Sequence, residues 1–399
     1  MQPMYLSDNV TTAAGPITPA ATREDSTEAE FRALLDMVQA RRDEFDRLRH
    51  VPRDVIAQMK RAGIFRASTP ARFGGDALAP HLFLPMVERI AQVDGSAGWV
   101  AAFGSANTYI AALPPETQAV IYAEGPDQVY AGGLYPLHPA TRANGGWTVS
   151  GHWRFASGCM GADWIGVGMS IPGADGAATV AQMAVCPADQ VEIVESWNVM
   201  GMQGTGSHDV KVVDKFFADD WICGRGAAST IDEPLYHYPA LAYQAQVHAA
   251  VNIGLARAAL DLTTQMSGGA KIMPNAARLA DRAYFRTHLA QAEAQFRSAR
   301  LFFYDSAERA WDFLLAGDPV PLDLTNQLRL SATHAAHASA KVVQDCYRIA
   351  GMAAAQRSHR LQHILRDAMV VTQHAALSEA TLEQAGAVLA GLPAPAGYP

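Results

Sequence analysis

The apolar residues of this chain change period twice along its length, and that alternation limits the possible fold more than any single motif does. From about Ala29 to Glu124 they recur at helical spacing, as in Phe31, Leu34, Leu35 and Val38. Pro52 is placed to start a second helix, and breaks fall at Gly63 and at Phe73-Gly74-Gly75-Asp76. From Gln128 to about Ala228 the period drops to two, in the short runs Val129–Ala131, Trp147–Val149, Ile165–Met169, Val191–Val194 and Val210–Val213. Between them lie Asn144-Gly145-Gly146, Pro172-Gly173-Ala174-Asp175-Gly176 and Gly204-Thr205-Gly206, which supply the positive backbone angles that hairpins demand. An antiparallel sheet or small barrel is expected there. From Tyr236 the helical period returns, with stops at Gly268-Gly269 and Gly317-Asp318-Pro319, so helices are expected at about 238–266, 275–315, 322–352 and 361–389. The second carries a sustained seam, Phe285, Leu289, Ala292, Phe296, Ala299 and Phe303, which requires partner helices and suits a four-helix bundle. The expected class is α+β: a flexible tail over 1–28, an N-terminal helical domain over 29–127, a middle antiparallel β-domain over 128–235 and a C-terminal four-helix bundle over 236–399.

Composition narrows the partners. A chain that is 49% hydrophobic and 18% charged folds compactly, and 31 basic against 39 acidic side chains leave a net charge of −8, the wrong sign for holding a nucleic-acid backbone. No nucleic acid is expected. No apolar run approaches the roughly 20 residues that cross a bilayer, and Met1 to Glu30 lack the basic start and apolar core of a leader, so no membrane association is expected either. Cys159, Cys186, Cys223 and Cys346 lie far apart without a CxxC pair, which fits a reducing cytoplasm rather than a disulfide framework or zinc ribbon.

The short motifs mostly exclude. The chain lacks G-x-G-x-x-G after a strand, a nucleotide phosphate loop and a G-x-S-x-G nucleophile elbow. His334/His337 and His359/His363 have helical spacing, but without the Glu-x-x-His runs of a di-iron bundle they read as packing or surface residues, and no metal is expected.

Several segments nonetheless resemble one superfamily along about residues 30 to 390. Val55-Ile56-Ala57-Gln58-Met59 leading to Ala62-Gly63-Ile64 and Phe73-Gly74-Gly75 looks like its opening helices. Met200-Gly201-Met202-Gln203-Gly204-Thr205-Gly206-Ser207-His208-Asp209 is similar to a turn of its β-domain, Gly254-Leu255-Ala256-Arg257-Ala258-Ala259-Leu260 resembles its first bundle helix, and Gly351 and Arg366-Asp367-Ala368 resemble the stretch before its active-site loop. The superfamily is that of the acyl-CoA dehydrogenase fold. In many true dehydrogenases a Tyr-Glu-Gly-Thr segment follows Arg-Asp-Ala, and its Glu abstracts the substrate α-proton. Here those positions hold His374 and Ala375, with no carboxylate until Glu379. Ser150-Gly151-His152-Trp153-Arg154-Phe155-Ala156-Ser157-Gly158-Cys159 resembles instead a Gly-x-Trp-x-x-x-Ser-Gly-Cys run of the two-component flavin-dependent monooxygenases of this fold.

That resemblance implies an oxygenase component that takes reduced FAD or FMN from a separate NAD(P)H-dependent flavin reductase, uses O2 through a C4a-hydroperoxyflavin, and hydroxylates a small aromatic substrate. It also implies a homotetramer. It puts Ser157 beside the flavin, where a small rotatable hydroxyl can donate or accept near N5, and it puts His374 where an imidazole can move a proton near neutral pH. Ser157 and His374 are therefore the candidate catalytic residues. Thr205, Ser207 and Trp153 join Ser157 as candidate flavin contacts; Asn107, Trp99 and Tyr135 are candidates for the substrate pocket.

Some relatives carry a further histidine after a Ser-x-x-Trp-Val stretch resembling Ser96-Ala97-Gly98-Trp99-Val100. Here Phe103-Gly104-Ser105-Ala106-Asn107-Thr108-Tyr109 has none, and Asn107 is the nearest polar side chain. That departure favours an indole or indole-3-acetate-like substrate, already electron-rich at C2–C3, over a phenol. The alternatives are an FAD-dependent acyl-CoA dehydrogenase or related carbon-acid oxidase, and a non-catalytic protein of the same fold.

Overall fold

The computed structural model describes residues 23–173, 180–224, 226–268, 277–394 and 398. Six helices come first: α1 (Arg23–Leu48), α2 (Arg53–Arg61), α3 (Pro80–Val93), α4 (Gly95–Ala102), α5 (Asn107–Ile110) and α6 (Pro115–Ile121). Phe31, Leu34, Val38 and Phe45 form the buried stripe of α1 against α2, whose inner face is Val55, Ile56 and Met59. Helix α4 is buried all round, and Asp94 caps it by accepting the Ala97 N–H at 2.9 Å. Because α1 begins at Arg23, the tail expected over 1–28 ends earlier than 28, and the rest of it lies outside the described residues. The Gly-rich turn expected over 172–176 and the stop at Gly268-Gly269 also fall partly outside them.

The middle of the chain forms a seven-stranded sheet of β1 (Tyr130–Ala143), β2 (Gly146–Trp153), β3 (Trp164–Ile171), β4 (Val180–Pro187), β5 (Glu192–Val194), β6 (Asp209–Ala218) and β7 (Ile222–Gly224), in the order β5-β6-β2-β1-β3-β4-β7. Each neighbouring pair is antiparallel except β1 and β3, where Tyr130 to Gly133 run parallel to Trp164 to Val167. The exception follows from the path: after the β1–β2 hairpin the chain leaves the sheet through residues 154–163 and re-enters on the other side of β1. The two-residue period locates five strands; β4 and β7 carry no such run in the reading above.

The remaining helices are α7 (Pro234–His237), α8 (Ala240–Ser267), α9 (Ala283–Leu315), α10 (Leu322–Ala350), α11 (Arg360–Val371) and α12 (Glu379–Leu389). Nearly every residue of α8 from Ala242 to Leu260 is buried, so this helix is the hub rather than an amphipathic wall. Asn252 fastens it by donating to the carbonyls of Ala336 on α10 and Ala368 on α11. The α9 seam is buried within the chain, with Leu289 half-buried at its edge. The fourth expected helix is broken: α11 stops at Val371, His374 takes an extended conformation with ψ 133°, and a single 3-10 turn, Ala375–Leu377, intervenes before α12. The histidine ring satisfies the turn's Ala376 N–H, and the fully buried Leu377 pins it to the core, so the break is held from both sides. Among the described residues no helix is long and apolar enough to cross a membrane.

Candidate active site

Two backbone turns with left-handed residues bring the hydroxyl candidates together. Phe155 and Gly158 follow β2 with φ of 63° and 75°, while Met202 and Gly206 precede β6 with φ of 57° and 56°. The turns are sewn to each other by Ala156 N–H to the His208 carbonyl (2.9 Å) and Gly158 N–H to the Thr205 carbonyl (2.8 Å). Across that seam Ser157 Oγ lies 2.6 Å from Ser207 Oγ, which lies 2.7 Å from Thr205 Oγ1, which donates to the Met202 carbonyl at 2.9 Å. All three hydroxyls are buried. A carbonyl only accepts, so with the single Thr205 proton on Met202, Ser207 donates to Thr205 and Ser157 donates to Ser207. Ser157 Oγ is left as an acceptor.

The second group is a stack of rings. His374 stands against His248 of α8, ring centroids 4.4 Å apart and planes inclined by 28°, and Trp99 of α4 meets both, 4.3 Å from His248 and 5.4 Å from His374. His248 Nδ1 is 2.6 Å from the carbonyl of Gln244, and Phe103 meets its ring edge-on at 6.1 Å. The Trp99 indole N–H is buried without a hydrogen-bond partner. Sequence reasoning missed His248 because it lies on a helix buried nearly all round, among other polar residues such as Gln244, Gln246 and Asn252, where its spacing does not set it apart.

A charged cluster behind the site ties its parts together. Asp367 of α11 accepts the Met202 N–H at 2.6 Å. His363 lies 3.2 Å from Asp46 and 3.4 Å from Asp367, and Arg360 pairs with Asp94, the cap of the helix that carries Trp99, at 3.0 Å. Burial pushes the Asp367 carboxyl up to about 7, with neighbouring Asp94 adding and Arg360 opposing. Burial also raises Asp46, to about 6, and lowers His363. The Asp46–His363 contact thus has ion-pair geometry, yet both partners are driven toward their neutral forms. Cys159, beside Ser157 in sequence, has its thiol pushed up to about 12 by burial and is no nucleophile at neutral pH.

The other candidates are placed differently. Trp153 is fully buried at the end of β2 and spends its indole N–H on the Gly168 carbonyl (2.7 Å), so it is a wedge beneath the turn that carries Ser157. Asn107 gives its amide to the Phe65 carbonyl and to Thr69, joining α5 to the segment after α2. Tyr135 stands on β1, 57% exposed. A cleft lined by Lys60, Gln128, Cys159, Asp163 and Trp164 contains none of the stacked rings, and its Lys60 and Asp163 already pair at 2.7 Å. Among the described residues no group of three or more His, Cys, Asp or Glu side chains is placed to hold a metal.

Residues 23–120 match the model of the acyl-CoA dehydrogenase N-terminal domain, and residues 246–379 match that of its C-terminal domain. An indole-3-acetate monooxygenase of Pseudomonas putida is 46% identical over 92% of this chain and 95% of its own length. One from Acinetobacter baumannii is 39% identical over 89% and 91%. The crystal structure of 3-HSA hydroxylase from Rhodococcus sp. RHA1 superposes with a TM-score of 0.86 at 27% identity, covering 92% of this chain and 97% of that one. With an imidazole and no carboxylate at the position after Arg-Asp-Ala, and with relatives of this kind along nearly its whole length, the chain belongs to the two-component flavin-dependent monooxygenases of the acyl-CoA dehydrogenase fold.

Proposed function

We propose that the chain hydroxylates indole-3-acetate or a close indole relative, as the oxygenase partner of a separate NAD(P)H-dependent flavin reductase. The observation that carries the site assignment is the ring stack: His374, on a broken helix, is packed against a second imidazole, and both meet an indole whose N–H has no partner. The substrate class follows the two relatives named for indole-3-acetate. We also take the assembly to be a homotetramer in the cytoplasm, where the four buried free cysteines suit a reducing compartment.

The residues fit a reduced flavin. Ser157 Oγ is a buried acceptor, which suits an N5–H that the oxidised flavin ring lacks, and the buried Trp99 N–H is a donor without a partner in the chain. When bound, the reduced flavin supplies the two electrons that split O2, one atom entering the aromatic ring and the other leaving as water. Ser157 orients the ring by accepting, and Ser207 and Thr205 fix the direction in which Ser157 accepts. His374 carries its hydrogen on Nε2, because Nδ1 accepts the Ala376 N–H, and would hold or move its proton there. The buried Trp99 and His248 rings would help to keep out water, which would divert oxygen to hydrogen peroxide.

The test is product analysis with anaerobically reduced flavin, labelled dioxygen and a panel of indoles and phenols. Labelled oxygen is expected first in indole-3-acetate, and His374→Ala is expected to lower the ratio of product to oxygen consumed while raising peroxide. Oxygenation of phenols alone would overturn the substrate reading; full coupling in the variant would remove His374 from the chemistry.

A further inference from the structure

Two imidazoles from distant segments meet face to face, and their nitrogens are anchored in opposite senses. His248 Nδ1 lies 2.6 Å from the Gln244 carbonyl, and since a carbonyl only accepts, that nitrogen carries a hydrogen. His374 Nδ1 accepts the Ala376 backbone N–H at 3.3 Å, so the hydrogen of this ring sits on Nε2. Adding a proton to His248 keeps its bond to Gln244 and makes it charge-assisted. Adding one to His374 places a hydrogen on Nδ1 and destroys the cap of the turn after α11. Trp99, its ring 4.3 Å from that of His248, offers a π face to a cation there. Two imidazolium rings stacked at 4.4 Å, one of them 6% exposed, repel strongly.

We propose that His248 and His374 form one acid–base unit, in which His248 takes the proton and His374 stays neutral with its hydrogen on Nε2. Against the two rings stand Trp99 of α4, Phe103 of the turn after it, and the backbone carbonyl of Gln244 of α8, whose side-chain amide reaches Ser105. The titratable group next to them is His337 of α10, whose Nε2 is 2.8 Å from the carbonyl of Leu377 in the turn that His374 caps. The purpose of the unit rests on the oxygenase reading: His374 then stays a neutral imidazole with a protonated one stacked on it.

Solid-state 15N NMR of the histidine-labelled full-length chain, without flavin, reads both tautomers and both titrations. Wild type is compared with His248→Asn and His248→Phe, and His374→Gln assigns the signals. The expected wild-type result is the Nε2–H tautomer at His374, protonation of His248 first, and no proton on His374 until at least about 2 pH units lower. Either His248 variant should raise the His374 midpoint by about 1 pH unit or more; the Phe variant keeps a ring in the stack should the Asn variant fail to fold. Midpoints within about half a unit of each other, hydrogen on Nδ1 of His374, or an unmoved His374 midpoint would overturn the unit. Because no flavin is present, a coupled pair in a chain that forms no product would sink the oxygenase reading alone, whereas normal hydroxylation with independent titrations would sink the unit alone.

Discussion

Replacing Asp367 by Asn tests whether a buried proton holds the hydroxyl chain in place. The carboxyl is fully buried. One oxygen accepts the Met202 N–H at 2.6 Å; the other is 3.4 Å from His363, near enough for attraction, but it makes no hydrogen bond. Its affinity for a proton is raised from an ordinary 3.8 to about 7. Between those two values the folded chain keeps a proton that the unfolded chain has lost. The stability this contributes is therefore complete below about pH 4 and disappears as pH rises through 7. A shift of about 3 units corresponds to about 4 kcal/mol. Asn is neutral throughout and keeps an oxygen for Met202, so the unfolding free energy of the variant relative to wild type, measured by denaturant titration, should rise with pH. Relative to wild type, Asp367→Asn is expected to gain about 3 kcal/mol between pH 4.5 and pH 8. The raised Asp46 and the lowered His363 are present in both proteins and largely cancel from the difference. Parallel stability curves for the two proteins across that window, or a relative loss with rising pH, would show that Asp367 is ionised in the fold and refute the argument.

Two further substitutions probe the site from other sides. Ser157→Ala removes the buried acceptor and leaves Ser207 without its donor; it should cost about 1 kcal/mol in denaturant unfolding and lower the product-to-oxygen ratio, with wild-type coupling telling against Ser157 as the residue that orients the flavin. Trp99→Phe keeps a ring but deletes an unpaired buried N–H, so the flavin-free chain should become more stable by about 1 kcal/mol while losing affinity for reduced flavin or substrate in anaerobic titrations; unchanged affinity would mean that the indole N–H meets no ligand.

Much of this molecule is visible in short windows of its sequence, because the features concerned are local. The spacing of Phe31, Leu34 and Val38 marks a helix face, the two-residue period of Trp147–Val149 and Val210–Val213 marks strands, and the seam from Phe285 to Phe303 finds its partners inside the chain. The replacement of Tyr-Glu by His374-Ala375 was likewise readable, since it needs only a count from Arg366. The misses have a common cause. The periodic signal over 361–389 does not show the break at His374, because the break is held by a ring nitrogen on one backbone N–H and by Leu377 in the core, neither of which disturbs the pattern. Nor could sequence show that Asn107 spends its amide nitrogen on Phe65 and Thr69 while its Oδ1 is buried without a hydrogen-bond partner, or that a second imidazole comes from α8.

Sequence alone thus determined the order of helical and β segments and the chemical types present near the site, because hydrophobic period and residue identity act over a few positions. Tertiary structure decided which of those groups meet. The stacking of His248 on His374, the one-way hydroxyl chain from Ser157 to Met202, and the proton on Asp367 all depend on desolvation and on contacts between residues far apart in the chain. Burial changes what a side chain does without changing what it is, and only the packed molecule specifies burial.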